Sequence, residues 1–156
     1  RLEKAFDDLK SKYSGTAQAG QAGLTVAKAM EGAGNPKGAQ NALEWVSSQS
    51  ADAGIHAVAQ LRLSSLLMAQ KNYDEALKRL SGDFSPEFSA VVADRKGDIL
   101  LMLDRRQEAV SEYTKAYKSF DSSVEYRRLV EIKLNALGIS PQAAITAASA
   151  TSEEAK

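Results

Sequence analysis

The sequence predicts an all-α protein assembled from helix hairpins, and three observations support this prediction. First, each of the three prolines follows a residue that favours the N-cap of a helix. Second, no segment shows the alternation of apolar and polar residues, bounded by turn residues, that indicates a β-strand. Third, one short sequence motif occurs twice, and its two copies are separated along the chain by about the length of a pair of helices. The proline pairs are Asn35-Pro36, Ser85-Pro86 and Ser140-Pro141.

The expected helices cover most of the chain. A proline at the first helical position loses no hydrogen bond, so the three pairs predict helix starts. Capping boxes, in which a cap residue and a residue three positions later bond each other's backbone N–H groups, predict further starts. These boxes are Asn72 with Glu75, Asp104 with Gln107, and Ser122 with Glu125. The predicted helices are 1–13, 16–32, 36–49, 52–70, 73–81, 86–103, 105–119, 123–137 and 141–150.

The repeated phrase gives the period of the architecture. Residues 71–80 read K-N-Y-D-E-A-L-K-R-L and residues 104–113 read D-R-R-Q-E-A-V-S-E-Y, so Ala76 aligns with Ala109 at an offset of 33. A period near 34 residues with two helices in each period is typical of tetratricopeptide repeats. That motif has small residues at positions 8, 20 and 27 and large ones at positions 11 and 24. Counting from Ala90 gives Gly97, Leu100, Ala109, Tyr113 and Ala116, and counting from Ala57 gives Ser64, Leu67, Ala76, Leu80 and the polar Asp83.

These residue types have a packing reason. Two antiparallel helices approach closely only where the side chain between them is very small, and large residues one turn away fill the grooves beside the crossing. Glycine inside a helix costs about 1 kcal/mol relative to alanine, so Gly97 is expected at such a crossing. Ala76 and Ala109 are expected at crossings for the same reason.

An earlier helix pair, 16–32 and 36–49, has Ala39 and Leu43 at comparable positions, and we expect its turn to be longer. The sequence therefore predicts a tetratricopeptide-repeat-like α-α superhelix of about three helix pairs plus flanking helices. The alternative is an ordinary helical bundle in which the similarity between the two segments at an offset of 33 residues is a coincidence.

Composition excludes several classes of function. The chain of 156 residues carries twenty basic and twenty acidic residues, so no net charge indicates nucleic acid or a membrane surface as a partner. It has no cysteine, and therefore no disulfide, thiolate metal site or cysteine nucleophile. No apolar run reaches the length of about 18 residues that a membrane span requires. Because the chain begins at Arg1 without an initiator methionine, we expect a fragment of a longer product.

No catalytic, cofactor-binding or metal-binding residue is predicted. His56 is the single histidine and has no second histidine or cysteine as a partner, so a surface or capping role is expected. The glycine-rich stretch 32–38 lacks the order of a phosphate loop and indicates a helix–helix turn. Asp94 and Asp98 lie four residues apart and suggest an acid–base pair or cation site, but interleaved basic residues favour a solvated helix face. The doublets 105–106 and 127–128 lack aromatic residues on which bases would stack.

A partner-binding groove is predicted along the first helix of each pair. In tetratricopeptide arrays positions 2, 5, 9 and 12 of these helices line a concave surface. The resulting candidates are Val58, Leu61, Ser65, Met68, Val91, Asp94, Asp98 and Leu101. Such a mixture of apolar and acidic residues suits a hydrophobic or basic segment of a partner rather than a peptide carboxylate. The alternative for Leu61 and Met68 is that they are core between neighbouring helices.

Three segments together resemble a known family: F-S-A-V-V-A-D-R-K-G-D-I-L-L-M-L-D at 88–104, Q-E-A-V-S-E-Y-T-K-A at 107–116 and E-I-K-L-N-A-L at 131–137. They are similar to the bacterial ancillary subunit of the Sec translocon. The resemblance implies a membrane-anchored, tetratricopeptide-like domain on the periplasmic side of the inner membrane. It also implies the translocon and a periplasmic chaperone as protein partners.

Three hypotheses for function follow. The first is a non-catalytic adaptor of the Sec translocon that links it to periplasmic chaperones during protein export. The second is a cytoplasmic tetratricopeptide scaffold unrelated to secretion, and the third is a small hydrolase or ligand-binding helical domain. On the first hypothesis residues 1–15 form a juxtamembrane N-terminal helix, residues 16–138 the repeat domain, and residues 139–156 a C-terminal helix or frayed tail.

Overall fold

The computed structural model describes residues 1–121 and 124–153, and every regular element within these ranges is helical. The predicted all-α class is therefore confirmed. The chain forms two compact units, Arg1–Ser85 and Pro86–Lys156. The functional segments predicted from the sequence divide the chain at residues 15 and 138 instead, and that division stays a prediction.

The first unit contains five α-helices, α1 to α5. Their bounds are α1 Leu2–Tyr13, α2 Ala17–Gly32, α3 Pro36–Gln49, α4 Ala53–Ala69 and α5 Tyr73–Arg79. The second unit begins with a one-turn 3-10 helix and continues, within the described residues, with α6 to α9. Their bounds are Pro86–Phe88 for the 3-10 helix, then α6 Ser89–Met102, α7 Arg106–Ser119, α8 Glu125–Ala136 and α9 Pro141–Glu153.

Helix starts follow the sequence signals in some places and depart from them in others. Asn35 accepts a hydrogen bond from the backbone N–H of Gly38 at 2.9 Å, with Pro36 in the first turn, as predicted. Pro86 begins a 3-10 turn, and the α-helix starts only at Ser89. Proline fixes φ in a range that both helix types share, so it marks a start without selecting the type.

The predicted capping boxes are wrong at two positions and untested at the third. Asn72 makes no side-chain cap bond at the start of α5. Asp104 does not cap α7, because it adopts a left-handed conformation with φ 58° and Arg105 takes the N-cap position. The Arg105 guanidinium instead reaches forward to Glu108 at 2.7 and 2.6 Å. The box beginning at Ser122 lies outside the described residues.

One turn geometry recurs four times and defines the hairpins. A residue with positive φ follows α2, α4, α6 and α8, and its N–H bonds the carbonyl three residues back. The next N–H bonds the carbonyl five residues back, which is the Schellman pattern that ends helices. The positive-φ residues are Gly34, Lys71, Asp104 and Gly138, spaced 37, 33 and 34 residues apart.

The recurring turn shows that one prediction was wrong, the longer turn between α2 and α3, and it reveals one further hairpin. The turn between α2 and α3 is not longer than the others, since Gly34 adopts the same conformation as Lys71 and Asp104. The longer first period arises instead from its helices. Its second helix α3 has 14 residues against 7 in α5, and the following helix α4 has 17 residues against 14 in α6 and 12 in α8. Gly138 places the same turn between α8 and α9, so the repeat continues towards the C-terminus.

The predicted small residues lie at helix crossings. Ala76 and Ala109 have no exposed surface, and Ser64, at position 8 of the earlier repeat, is equally buried. Gly97 is buried against Tyr113, the large residue at position 24 of the same repeat. The register deduced from the repeated phrase is therefore confirmed.

The core of the first unit extends the same pattern to α2 and α3. Ala27, Met30, Ala39 and Leu43 are buried at positions equivalent to those of the later repeats. Phe6 of α1 joins this cluster and packs edge-on against Trp45, with ring centroids 5.6 Å apart. The N-terminal helix is thus part of the packed first unit.

Candidate functional site

The candidate site is the solvent-facing side of the first helix in each hairpin, and α4 carries it in the first unit. Val58 is 37% exposed, while Leu61, Ser65 and Met68 are half-buried. Their spacing of three to four residues places all four on one side of the helix. The Ser65 hydroxyl donates to the Leu61 carbonyl at 3.0 Å, so its own helix already provides it with a hydrogen bond. This side of α4 therefore offers mainly apolar surface.

In the second unit α6 carries the corresponding residues, and its two acids do not lie in open solvent. Val91 and Leu101 are half-buried, whereas Asp94 is only 1% exposed. The expected solvated helix face is therefore wrong for Asp94. The reason is long-range: Lys133 and Tyr126, both on α8, reach back to α6 and cover this carboxylate.

Asp94, Asp98, Lys133, Tyr113 and Tyr126 form one hydrogen-bonded group, which we call the Lys133 cluster. The Lys133 ammonium donates to Asp94 Oδ1 at 2.8 Å and to the two oxygens of Asp98 at 2.8 and 3.0 Å. Tyr126 donates its hydroxyl to Asp94 Oδ2 at 2.9 Å, and Tyr113 donates to Asp98 Oδ1 at 2.7 Å. The cluster therefore joins α6, α7 and α8.

The pKa values of the cluster reflect this arrangement. Burial by itself lowers the pKa of Lys133, but the hydrogen bonds to Asp94 and Asp98 outweigh burial, so the pKa is raised. Burial is the main reason that the pKa of Tyr126 is raised, and its bond to Asp94 adds to the effect. The pKa of Tyr113 is raised by burial and then by Asp98. All three groups therefore keep their protons at neutral pH.

Asp94 and Asp98 form their hydrogen bonds and ion pairs with residues of the second unit itself. Each carboxylate accepts one tyrosine hydroxyl and shares the Lys133 ammonium, so two negative charges and one positive charge leave the cluster with one net negative charge instead of two. Buried charges that are paired in this way link the elements that hold them. The partner-facing surface of α6 is accordingly less acidic than the sequence suggests.

α8 carries an exposed apolar surface that was not predicted from the sequence. Leu129 is 42% exposed and Ile132 is 56% exposed, one helical turn apart on the side away from buried Val130 and Leu134. In the register set by Gly138, Ile132 takes position 9 of a fourth hairpin, equivalent to Asp98. The signal that would have found it is the period of about 34 continued from Asp104 to Gly138.

The other residues considered for chemistry have structural partners. His56 is half-buried, with Nδ1 at 3.0 Å from the Ser47 carbonyl and its ring near Phe84. The stretch 32–38 is a helix–helix turn, as predicted. Arg106 donates to the Leu137 carbonyl, and Arg127 donates to the Tyr117 carbonyl and lies over its ring.

Among the described side chains, no group of three or more histidine, aspartate or glutamate residues has an arrangement that would hold a metal ion. Within residues 1–121 and 124–153, no helix combines the length and the apolar character needed to cross a bilayer.

Comparisons with known proteins agree with this fold. Residues 1–139 match the family described as tetratricopeptide repeat-like domain. The chain is 32% identical over 136 residues to a Neisseria gonorrhoeae protein named ancillary SecYEG translocon subunit, covering 87% of this chain and 65% of that protein. It is also 32% identical over 92 residues to the Escherichia coli protein of the same name, covering 59% of this chain and 44% of that protein.

The resemblance noted from the sequence is therefore confirmed by relatives that carry the same name. The chain spans less than two thirds of the length of either relative, so the match concerns this helical region. The family match, in contrast, covers residues 1–139, nearly the whole chain. The chain belongs to the tetratricopeptide repeat-like domain family.

Proposed function

We propose that this chain is a non-catalytic protein–protein interaction adaptor that serves as an ancillary subunit of the Sec translocon. Its role would be to link the translocon to periplasmic chaperones during protein export, from the periplasmic side of the inner membrane. The support for the translocon as a partner is the name shared by both relatives. The link to a chaperone and the periplasmic location rest on the resemblance of the sequence and are the finer part of the proposal.

The observation that carries the adaptor role is the exposed apolar surface on the first helices. Val58 on α4 and Ile132 on α8 remain exposed although both occupy groove positions of the repeat. Apolar side chains left in contact with water on a repeat surface favour the binding of another polypeptide. We therefore assign partner binding to Val58, Leu61, Ser65 and Met68 in the first unit, and to Val91, Leu101 and Ile132 in the second. Asp94 and Asp98, also candidates from the sequence, would shape this surface through the Lys133 cluster.

Site-specific photocrosslinking tests the proposal. The full-length gene product would be expressed with a photoreactive amino acid in place of Val58, and membranes would be irradiated before purification. We expect crosslinks to translocon subunits and to a periplasmic chaperone. The matched control places the same amino acid at Lys37, which is also exposed but lies at the start of the second helix of its hairpin.

Three outcomes would contradict the proposal or a part of it. Crosslinks only to cytoplasmic proteins would support the cytoplasmic scaffold instead. Equal yields from Val58 and Lys37 would leave the translocon association possible but remove the assignment of this surface. Recovery of a translocon subunit without any chaperone would retain the coarser role and reject the link.

A further inference from the structure

A second surface, separate from the first helices, lies in the second unit between α7 and α9. It is an open groove with a volume of about 620 Å³. Its walls come from the second helices of the last two hairpins, so it does not involve the residues assigned to partner binding above.

The groove exists because α9 is lined with alanines. Ala143, Ala144 and Ala147 face it, and these side chains are too short to fill the space beside α7. The Gly97 crossing in the same unit, in contrast, is filled by the ring of Tyr113. The start of α9 is held by the turn at Gly138 and by Arg106, which donates to the Leu137 carbonyl at 2.6 Å. The groove therefore results from the way α9 packs beside α7.

The floor of the groove is apolar. Val110 and Ile139 are half-buried there, and Thr114 is buried with its hydroxyl already donated to the Val110 carbonyl at 2.7 Å. Few polar groups converge on this floor, whereas the binding site of a small polar ligand requires several. An apolar trough between two helices instead suits the ridge of a third helix.

The rim of the groove is positive. Lys115 and Lys118 line it from α7, and the lining residues, all within the described part of the chain, include no aspartate or glutamate. Lys115 pairs with Glu112 at 2.9 Å, which leaves Lys118 as the exposed cation without a paired carboxylate among the lining residues. An occupant with carboxylates beside its apolar ridge would therefore match the groove in both shape and charge.

The length of the groove indicates the size of the occupant. The α7 wall runs from Gln107 to Lys118, which corresponds to roughly 17 Å of helix axis, or three turns. We propose that the groove between α7 and α9 binds an amphipathic helix of a partner protein, about three turns long, with small apolar side chains on its ridge and carboxylates along its flank.

Peptide binding tests this proposal directly. A fluorescent helical peptide of about 14 residues, with an alanine and leucine ridge flanked by glutamates, would be titrated with the whole chain and followed by anisotropy. We expect saturable binding that weakens about threefold to tenfold in Lys118→Glu, because attraction becomes repulsion at a partly desolvated rim. A second peptide with lysines in place of the glutamates should show the reverse preference and bind Lys118→Glu better.

Matched variants complete the design. Lys37→Glu makes the same charge change on an exposed site of the first unit and should leave binding unchanged. Ala144→Phe should fill the groove and abolish binding, and its helical circular dichroism would show whether the unit remains folded. Equal affinity of both peptides for wild type and Lys118→Glu would overturn the proposal. So would the absence of peptide binding together with self-association in sedimentation, which would make a second copy of this chain the occupant.

Discussion

The ring of Tyr113 occupies the space that a side chain at Gly97 would need. A Cβ added to Gly97 would lie 2.5 Å from Tyr113 Cε1 and 2.6 Å from Cδ1. Tyr113 cannot move away easily, because it is buried and its hydroxyl is bonded to Asp98. Position 8 of this repeat therefore requires glycine, since even a methyl group would displace α7 from α6.

The first prediction follows from this contact. Gly97→Ala should lower the free energy of unfolding by about 1–2 kcal/mol, because overpacking by about 1–3 kcal/mol outweighs a gain in helix propensity of up to about 1 kcal/mol. Urea denaturation would measure the change. Gly32→Ala is the control, because a Cβ there meets no atom within 4 Å, and it should be neutral or slightly stabilising. Equal stability of the two variants would show that Tyr113 adjusts freely.

A substitution at Ala109 tests the packing of α6 against α7 from the second helix of this pair. It has no exposed surface on α7, so Ala109→Leu should overpack the α6–α7 pair and cost about 1–3 kcal/mol. The melting temperature would fall by several degrees in thermal unfolding. Ala29→Leu, on the exposed side of α2, is the matched control and should change the melting temperature little. An unchanged melting temperature for Ala109→Leu would count against the repeat register.

The elements of this fold were predictable because their signals are local. Proline after a cap residue acts within a few residues and placed the starts of α3 and α9 correctly. The small residues that recur at a fixed offset placed the Gly97 crossing. Asn72 does take the N-cap position of α5, but its side chain makes no cap bond there. The capping box at Asp104 failed because Asp104 itself adopts the left-handed conformation that follows α6, which leaves Arg105 at the N-cap of α7. A capping box does not reveal that conformation, since lysine and aspartate adopt it less readily than glycine.

The candidate site was less predictable because it depends on contacts distant in sequence. Asp94 is buried by Lys133, which lies 39 residues further along the chain. The fourth hairpin that provides Lys133 has Glu131 where the motif expects a small residue, so the pattern of small positions does not reveal it. The exposed side of α8 was missed for the same reason.

Removing Lys133 should destabilise the second unit strongly. Lys133→Met would leave the buried carboxylate of Asp94 without its ammonium partner, and breaking a buried pair costs about 3–5 kcal/mol. Because the Lys133 side chain is itself 23% exposed, we expect the lower part of that range. Urea denaturation would measure the loss.

A double mutant measures the interaction energy between Asp94 and Lys133 apart from the other effects of each substitution. Asp94→Asn combined with Lys133→Met should be more stable than the sum of the two single effects predicts, because the double mutant leaves no buried Asp94 carboxylate without its ammonium partner. Asp98, whose side chain is 30% exposed, loses Lys133 in the single and in the double mutant alike, so its loss cancels in this comparison. Lys78→Met, which removes an exposed ammonium paired at 3.8 Å, is the control and should cost less than about 1 kcal/mol. Strict additivity of the two changes in the cluster would mean that the ion pair contributes little.

The cluster also predicts how stability depends on alkaline pH. The pKa values of Lys133, Tyr113 and Tyr126 are all raised in the folded state. In the unfolded chain these groups lose their protons near pH 10, whereas the folded protein retains them. Below about pH 10 their contribution is complete, and above it the unfolded state binds fewer protons, so stability falls as pH rises.

Urea denaturation at several pH values between about 8 and 11 would measure this slope. Tyr126→Phe should reduce the slope, because it removes one of the three groups. Tyr13→Phe, a substitution at a 58% exposed tyrosine of the first unit, should leave the slope unchanged. A wild-type stability that stays constant across this range would show that the cluster does not hold its protons more tightly than the unfolded chain.

The last prediction concerns partner binding through α4. Val58→Glu places a charge on an apolar side that is 37% exposed, so the fold should tolerate it while contact with an apolar partner segment is lost. We expect the full-length variant to recover several-fold less translocon from detergent-solubilised membranes, with a melting temperature close to that of wild type. Lys37→Glu should recover as much as wild type. Undiminished recovery with Val58→Glu would transfer the binding role from α4 to another surface, because a buried carboxylate at the contact cannot be neutral in affinity.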